Sequence, residues 1–173
     1  MFINDNKTNP QQERIITFSP SDFEGVVHHD DDPMVVTLHI FNCDVKRVFI
    51  DPGSSTDILY YDAFEKIGLD PEQLQPFKGT LAGFTGEQVH VRGHFTLKTT
   101  FGTGENAKTI KVKYLVVCAP NCYNIIIGRH SFNLLGAFLS TRFLVMKYPM
   151  EKGKIGTLQG DQKTARECYH NNL

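Results

Sequence analysis

The chain has 173 residues, 40% of them hydrophobic, and a formal net charge of −1. That length supports one domain with a packed core, and so neutral a balance excludes nucleic-acid binding driven by charge alone. No apolar run is long enough to span a bilayer. Met1-Phe2-Ile3-Asn4-Asp5 lacks the basic-then-apolar pattern of a signal segment. Cys43, Cys118, Cys122 and Cys168 are too sparse for a disulfide framework and predict reduced thiols in a cytoplasmic setting.

Residues 1–18 read as a flexible, polar N-terminal flank. Within it, Ile15-Ile16-Thr17-Phe18 is expected to pair as an edge strand. His28-His29-Asp30-Asp31-Asp32-Pro33 reads as a solvated loop, because its crowded ligand types fit no defined metal geometry. From Met34 the pattern turns β. Val35, Val36, Leu38, Ile40 and Phe41 predict one strand, Asn42-Cys43-Asp44 a tight turn, and residues 45–50 the second strand of a hairpin.

A helix is predicted over residues 62–67, with Asp62 and Glu65 at capping-box spacing and Gly68 as its stop. Asp70-Pro71-Glu72 predicts a further helical turn, capped by Asp70 with Pro71 at its first position. Leu81-Ala82-Gly83-Phe84-Thr85-Gly86-Glu87 and the alternating Val89-His90-Val91-Arg92 predict a hairpin with a glycine-rich tip and one exposed aromatic. Strand continues through residues 95–99. Gly102-Thr103-Gly104-Glu105-Asn106-Ala107 spells a dinucleotide fingerprint, but residues 109–117 after it alternate as a strand, whereas a fingerprint must open a helix. It reads as a hairpin turn.

Asn124-Ile125-Ile126-Ile127-Gly128-Arg129 is followed by a short helix over residues 131–135, stopped by Gly136. Strands are predicted at 138–140 and 143–147, and a polar, helix-like tail over 160–169. Many short strands with two or three short helices make the chain mainly β.

The stretch with the most chemistry is Val48-Phe49-Ile50-Asp51-Pro52-Gly53-Ser54-Ser55. An apolar strand runs straight into a carboxylate, whose burial is costly unless it is paired or hydrogen-bonded. Alone, this is either a catalytic carboxylate on a turn or an Asp capping a Pro-Gly turn. No Gly-x-Ser-x-Gly elbow is present for a serine hydrolase. Cys118 and Cys122 supply only one half of a zinc site, and no matching Cys/His pair follows.

Three features stand in a fixed order: Asp51-Pro52-Gly53-Ser54-Ser55 after a strand, the hairpin at Gly83, Phe84, Thr85 and Gly86, and Ile126-Ile127-Gly128-Arg129 before a helix. That order resembles the retropepsins, the single-domain aspartic proteases of retroviruses and LTR retrotransposons. It is most similar to the protease segment of plant gypsy-class retrotransposon polyproteins. There the flanking phrases Phe23-Glu24-Gly25-Val26 and Gly160-Asp161-Gln162-Lys163 are similar too. The resemblance spans roughly residues 17–169. It places a retropepsin-like domain at 19–158, and reads 159–173 as a linker or helix toward a downstream domain.

The resemblance implies a closed β-barrel protomer of the acid-protease type that is half an enzyme. Two copies would pair as a homodimer, each supplying Asp51. Carboxyls about 3 Å apart cannot both ionise, so the pair would hold one proton and activate a water against a peptide carbonyl. Gly53 would keep the loop tight and Ser54 would orient the carboxylate, with Pro52 and Ser55 completing the loop. The segment 83–86 would form a flap over a polypeptide substrate. Ile127 and Gly128 would pass beneath the active-site loop, Gly128 without a side-chain clash. Arg129 would pair with Asp57 or another nearby acid, or be an ordinary surface residue. The resemblance implies no cofactor and no metal, no direct nucleic-acid or membrane partner, and action on a Gag-Pol polyprotein in the cytoplasm or within virus-like particles.

One position departs from the family pattern. Pro52 stands where the family has Thr or Ser, whose hydroxyl and backbone N–H cross-link the two loops at the dimer axis. Proline offers neither donor. The departure keeps open a second reading, a catalytically weak or inactive retropepsin-like module for dimerisation or peptide binding.

Overall fold

A computed structural model of the chain describes residues 15–83 and 86–171, with side chains through residue 168. The first hairpin is β1 (Val35–Ile40) with β2 (Cys43–Ile50), followed by β3 (Asp57–Tyr60) and helix α1 (Tyr61–Ile67). β4 (Leu81–Ala82) and β5 (Gln88–Val89) form a small hairpin before the long strands β6 (Val91–Phe101) and β7 (Lys108–Val117). Then come β8 (Ile125–Ile127), α2 (Arg129–Leu135), β9 (Phe138–Ser140), β10 (Val145–Pro149), β11 (Ile155–Gln159) and α3 (Gln162–Asn171).

Six strands close a barrel in the order β1-β2-β8-β3-β7-β6, and β11-β10-β9 form a separate three-stranded sheet. Alternation decides which side chains fill the barrel. In β1, Val36, Leu38 and Ile40 are buried while Thr37 and His39 point to solvent. Leu38, Ile40, Val48, Ile50, Leu59, Phe64, Phe101, Ile125 and Ile127 share one core. The buried Tyr114 hydroxyl finds its partner in Thr99 Oγ1 at 2.8 Å. The Gly102–Ala107 phrase is a 3-10 turn joining β6 to β7, as the alternation after it required.

The structure moves several local expectations. α1 starts at Tyr61 with no side-chain cap, so Asp62 falls inside the first turn and no capping box forms there. Gly68 does end the helix in the left-handed conformation, φ 85°. Asp70 caps the next turn through Glu72 N–H at 2.9 Å. Residues 15–18 form no strand. They are tethered by a side chain, since Lys147 Nζ donates to the Thr17 carbonyl at 2.8 Å and lies 5.1 Å from the Phe18 ring centroid. The strand expected from residue 143 begins at Val145, because Leu144 takes a left-handed turn, φ 50°.

α3 is docked on the barrel hairpin formed by β1 and β2. Asp161 caps its start, accepting from Thr164 N–H at 3.1 Å and Thr164 Oγ1 at 2.6 Å. Ala165 and Cys168 are the buried residues of its inner face. Among the described residues no helix is long and apolar enough to cross a membrane.

Candidate active site

β2 and β8 run parallel with Ile50 opposite Ile127, and Asp51 N–H donates to the Ile127 carbonyl at 2.8 Å. The barrel ladder therefore continues to the residue that leaves it. The chain then turns through 51–56. Ser54 N–H closes the turn on the Asp51 carbonyl at 3.0 Å, and Gly53 N–H donates to Asp51 Oδ1 at 3.0 Å. A Cβ on Gly53 would sit 3.1 Å from that same oxygen, so the tight loop favours glycine. The Ser54 hydroxyl, expected on the carboxylate, donates to the Thr56 carbonyl at 2.9 Å. Orientation of Asp51 within this chain comes from backbone, not from Ser54. Asp51 and Pro52 are partly exposed, and Gly53 and Ser55 are exposed.

The underside of the loop is clamped by the segment from β8 to α2. A Cβ on Gly128 would collide with the Thr56 carbonyl and lie 2.8 Å from the Ser54 carbonyl, so only glycine lets the two backbones pass. Arg129 N–H donates to the Ser54 carbonyl at 2.7 Å. Its guanidinium donates to the Pro52 carbonyl at 3.1 Å and the Gly53 carbonyl at 3.2 Å. Arg129 thus grips the loop's backbone and leaves Asp57 to other partners.

Asp57 is 2% exposed, the first residue of β3. Its carboxylate accepts from Gly128 N–H at 2.8 Å and from the fully buried Ser131 hydroxyl at 2.7 Å. Both donors belong to the start of α2, where a carboxylate also meets the positive end of the helix dipole. Burial pushes the Asp57 carboxyl above the usual carboxylate range, against the lowering by Ser131, Gly128 and the charge of His130. A carboxyl raised on folding favours the fold below its ordinary value, and that contribution is lost as pH rises through the raised one. This clamp is a part of the site that sequence reading underrates; its trace is a lone acid opening an apolar strand, Asp57-Ile58-Leu59-Tyr60.

Removing that carboxylate strands two buried donors. Asp57→Ala is expected to destabilise the domain by about 2–5 kcal/mol. Asp57→Asn, which keeps an acceptor, should cost less than half as much. Denaturant unfolding of the two variants checks the order; equal losses would remove the clamp from this account.

The glycine-tipped hairpin is anchored on the same side chains that flank the loop. Leu81 and Val89 pack with Ile58, Ile126 and Tyr123 against Tyr60, Leu115 and Val117. Ile58 and Ile126 are opposite partners on β3 and β8. At its tip, Gly83 N–H donates to the Glu87 carbonyl at 2.7 Å and Gly86 N–H to the Gly83 carbonyl at 3.0 Å. Phe84 and Thr85 lie outside the described residues. A cleft of about 660 Å³ opens beside Asp51 and Pro52, walled by Phe23, His28–Met34, Phe49, Leu139 and Arg142.

The retroviral protease-like domain of Ddi1 from Leishmania major is similar over 75% of this chain and 96% of that one, with TM-score 0.55 and 15% identity. The fold is that of the retropepsins. Two further solved structures are similar at lower scores. They are EIAV protease complexed with the inhibitor HBY-793 (TM-score 0.48, 22% identity, 66% of this chain and 99% of that one), and a retropepsin-like aspartic protease from Rickettsia conorii (TM-score 0.45, 16% identity, 62% of this chain and 76% of that one). No protein-family model and no curated protein sequence matches the chain. In this retropepsin fold, Asp51 occupies the loop that leaves the second barrel strand, and the clamp from Asp57, Gly128 and Arg129 fixes that loop from below.

Proposed function

We propose that the chain is one half of an aspartic endopeptidase that acts as a homodimer. The observation behind this reading is a partly exposed Asp51 carboxylate, presented by a backbone-locked loop at the end of a barrel strand in a retropepsin fold. One such loop supplies one carboxylate. A second copy would bring the other, and the pair would share one proton. The ionised member takes a proton from a water held between them. The water oxygen attacks the peptide carbonyl carbon, and the protonated member gives its proton to the developing oxyanion. Gly83, Phe84, Thr85 and Gly86 would close over the peptide as a flap. The substrate class we assign is a retroelement Gag-Pol polyprotein of the plant gypsy type, processed in the cytoplasm or within virus-like particles.

A statine-type inhibitor tests the reading, because a site complementary to the tetrahedral state binds such a mimic far more tightly than a plain peptide. Tight binding together with cleavage of polyprotein-junction peptides supports the peptidase. Binding no tighter than that of the matching peptide contradicts it.

Pro52 favours the second reading, a weak or inactive dimerisation module, since its ring removes both donors that would cross the dimer axis. Restoring them should be measurable. Pro52→Thr is expected to tighten the dimer by about 2 kcal/mol, about thirtyfold in dimer constant. Sedimentation of wild type and variant side by side reads the change. If the variant dimerises better and both proteins leave junction peptides intact, the module reading replaces the protease.

A further inference from the structure

The far end of the chain holds a wall of the cleft that borders Asp51. Residues 28–33 carry no helix or strand ladder of their own, so side chains must fix them. His29 does so from within: its Nδ1 accepts from Asp32 N–H at 3.1 Å, and its Nε2 donates to the Arg142 carbonyl at 3.1 Å. The rest comes from α3. The Gln162 amide uses both of its donors and its oxygen, accepting from Val27 N–H at 2.9 Å and donating to the Val27 carbonyl and Asp32 Oδ2, each at 2.8 Å. Arg166 Nε donates to the same Asp32 oxygen at 2.9 Å, with the Asp32 side chain only 12% exposed. α3 can act as a brace because it is itself fixed: Asp161 N–H donates to the Val35 carbonyl at 2.7 Å, and Ala165 and Cys168 are buried.

We propose that Gln162 and Arg166 are positioning residues for dimer assembly: through Asp32 they hold the 28–33 wall in the shape that lets a second copy seat against Asp51 and Pro52. This rests on the homodimer reading above. Dyad chemistry needs a second carboxylate within reach of the water on Asp51, so the partner's loop must approach Asp51 and Pro52. Those two residues line the same cleft as the braced wall. A wall that swings free occupies the approach in many conformations, and ordering it becomes part of the cost of pairing.

The test uses the full chain as wild type, Gln162→Ala, Arg166→Met and Arg166→Lys. The Arg166 side chain is 43% exposed, so its variants should fold, and thermal melting is the check. Hydrogen exchange at Val27 and Asp32 should quicken about tenfold in Gln162→Ala and Arg166→Met, the equivalent of about one net hydrogen bond. Their dimer constants should weaken about tenfold, while turnover per dimer at saturating protein stays at the wild-type value. Arg166→Lys, which keeps the charge, should recover most of the pairing; a purely structural role would not give this split. Unchanged exchange, or faster exchange with an unchanged dimer constant, overturns the proposal, as does a wild type that stays monomeric. A wild type that dimerises without cleaving anything refutes the peptidase and still lets the brace be measured.

Discussion

Asp51→Asn is expected to leave the barrel intact and to reduce peptide cleavage by about a thousandfold or more. The folding side follows from the loop. Asp51 is partly exposed, and its carboxylate accepts from Gly53 N–H, a bond that an Asn oxygen can keep. Stability should stay within about 0.5 kcal/mol, as at most exposed sites. The activity side follows from the dyad. An amide can neither take the proton of the attacking water nor hold the shared proton, and positioned acid–base groups contribute about 10²–10⁴-fold each. Turnover of a junction peptide, with melting temperature measured on the same samples, checks both halves. Cleavage near the wild-type rate would remove Asp51 from the chemistry.

Gly128→Ala should produce a large loss of stability. The added methyl would meet the Thr56 carbonyl at clash distance and the Ser54 carbonyl at 2.8 Å. Both are backbone atoms of the 51–56 loop and cannot swing aside as a side chain can. Relief requires moving the 51–56 loop away from α2. That movement also strains the Gly128 N–H bond to Asp57 at 2.8 Å and the Arg129 N–H bond to Ser54 at 2.7 Å. The expected cost is about 3 kcal/mol or more, about 6–12 °C in melting temperature for a domain this size. Cleavage should fall even where the variant remains folded, because the displaced loop carries Asp51. Gly86→Ala is the control: nothing lies near its Cβ, and its cost is limited to that of a left-handed φ of 83°. Equal losses at Gly128 and Gly86 would mean that the crossing beneath the loop is not tight.

The β1–β2 hairpin, the β6–β7 pair and the glycine helix stops are legible in the sequence because each rests on local periodicity or on one special residue. Asp51 is legible for the same reason, as a carboxylate placed where an apolar strand breaks into Pro52-Gly53. The clamp is harder to read. Asp57 and Ser131 lie 74 positions apart and meet only because β3 and β8 are neighbours in the closed barrel. Arg129 grips carbonyl oxygens, which every residue possesses, so its partners leave no mark in the sequence. The brace from α3 is hidden likewise: Gln162 spends its amide mostly on the backbone of Val27, 135 positions away. The late start of β10 turns on one left-handed residue, Leu144, that propensity does not disfavour as a strand former.

The most direct test of the shared dyad is a concentration series in which sedimentation and junction-peptide cleavage are read on the same samples of the full chain. One chain holds one Asp51, so specific activity should rise with the dimer fraction, approach zero where the protein is monomeric, and level off when pairing is complete. Cleavage whose specific activity stays constant through the monomeric range would show that a single chain suffices, and would contradict the shared Asp51 dyad.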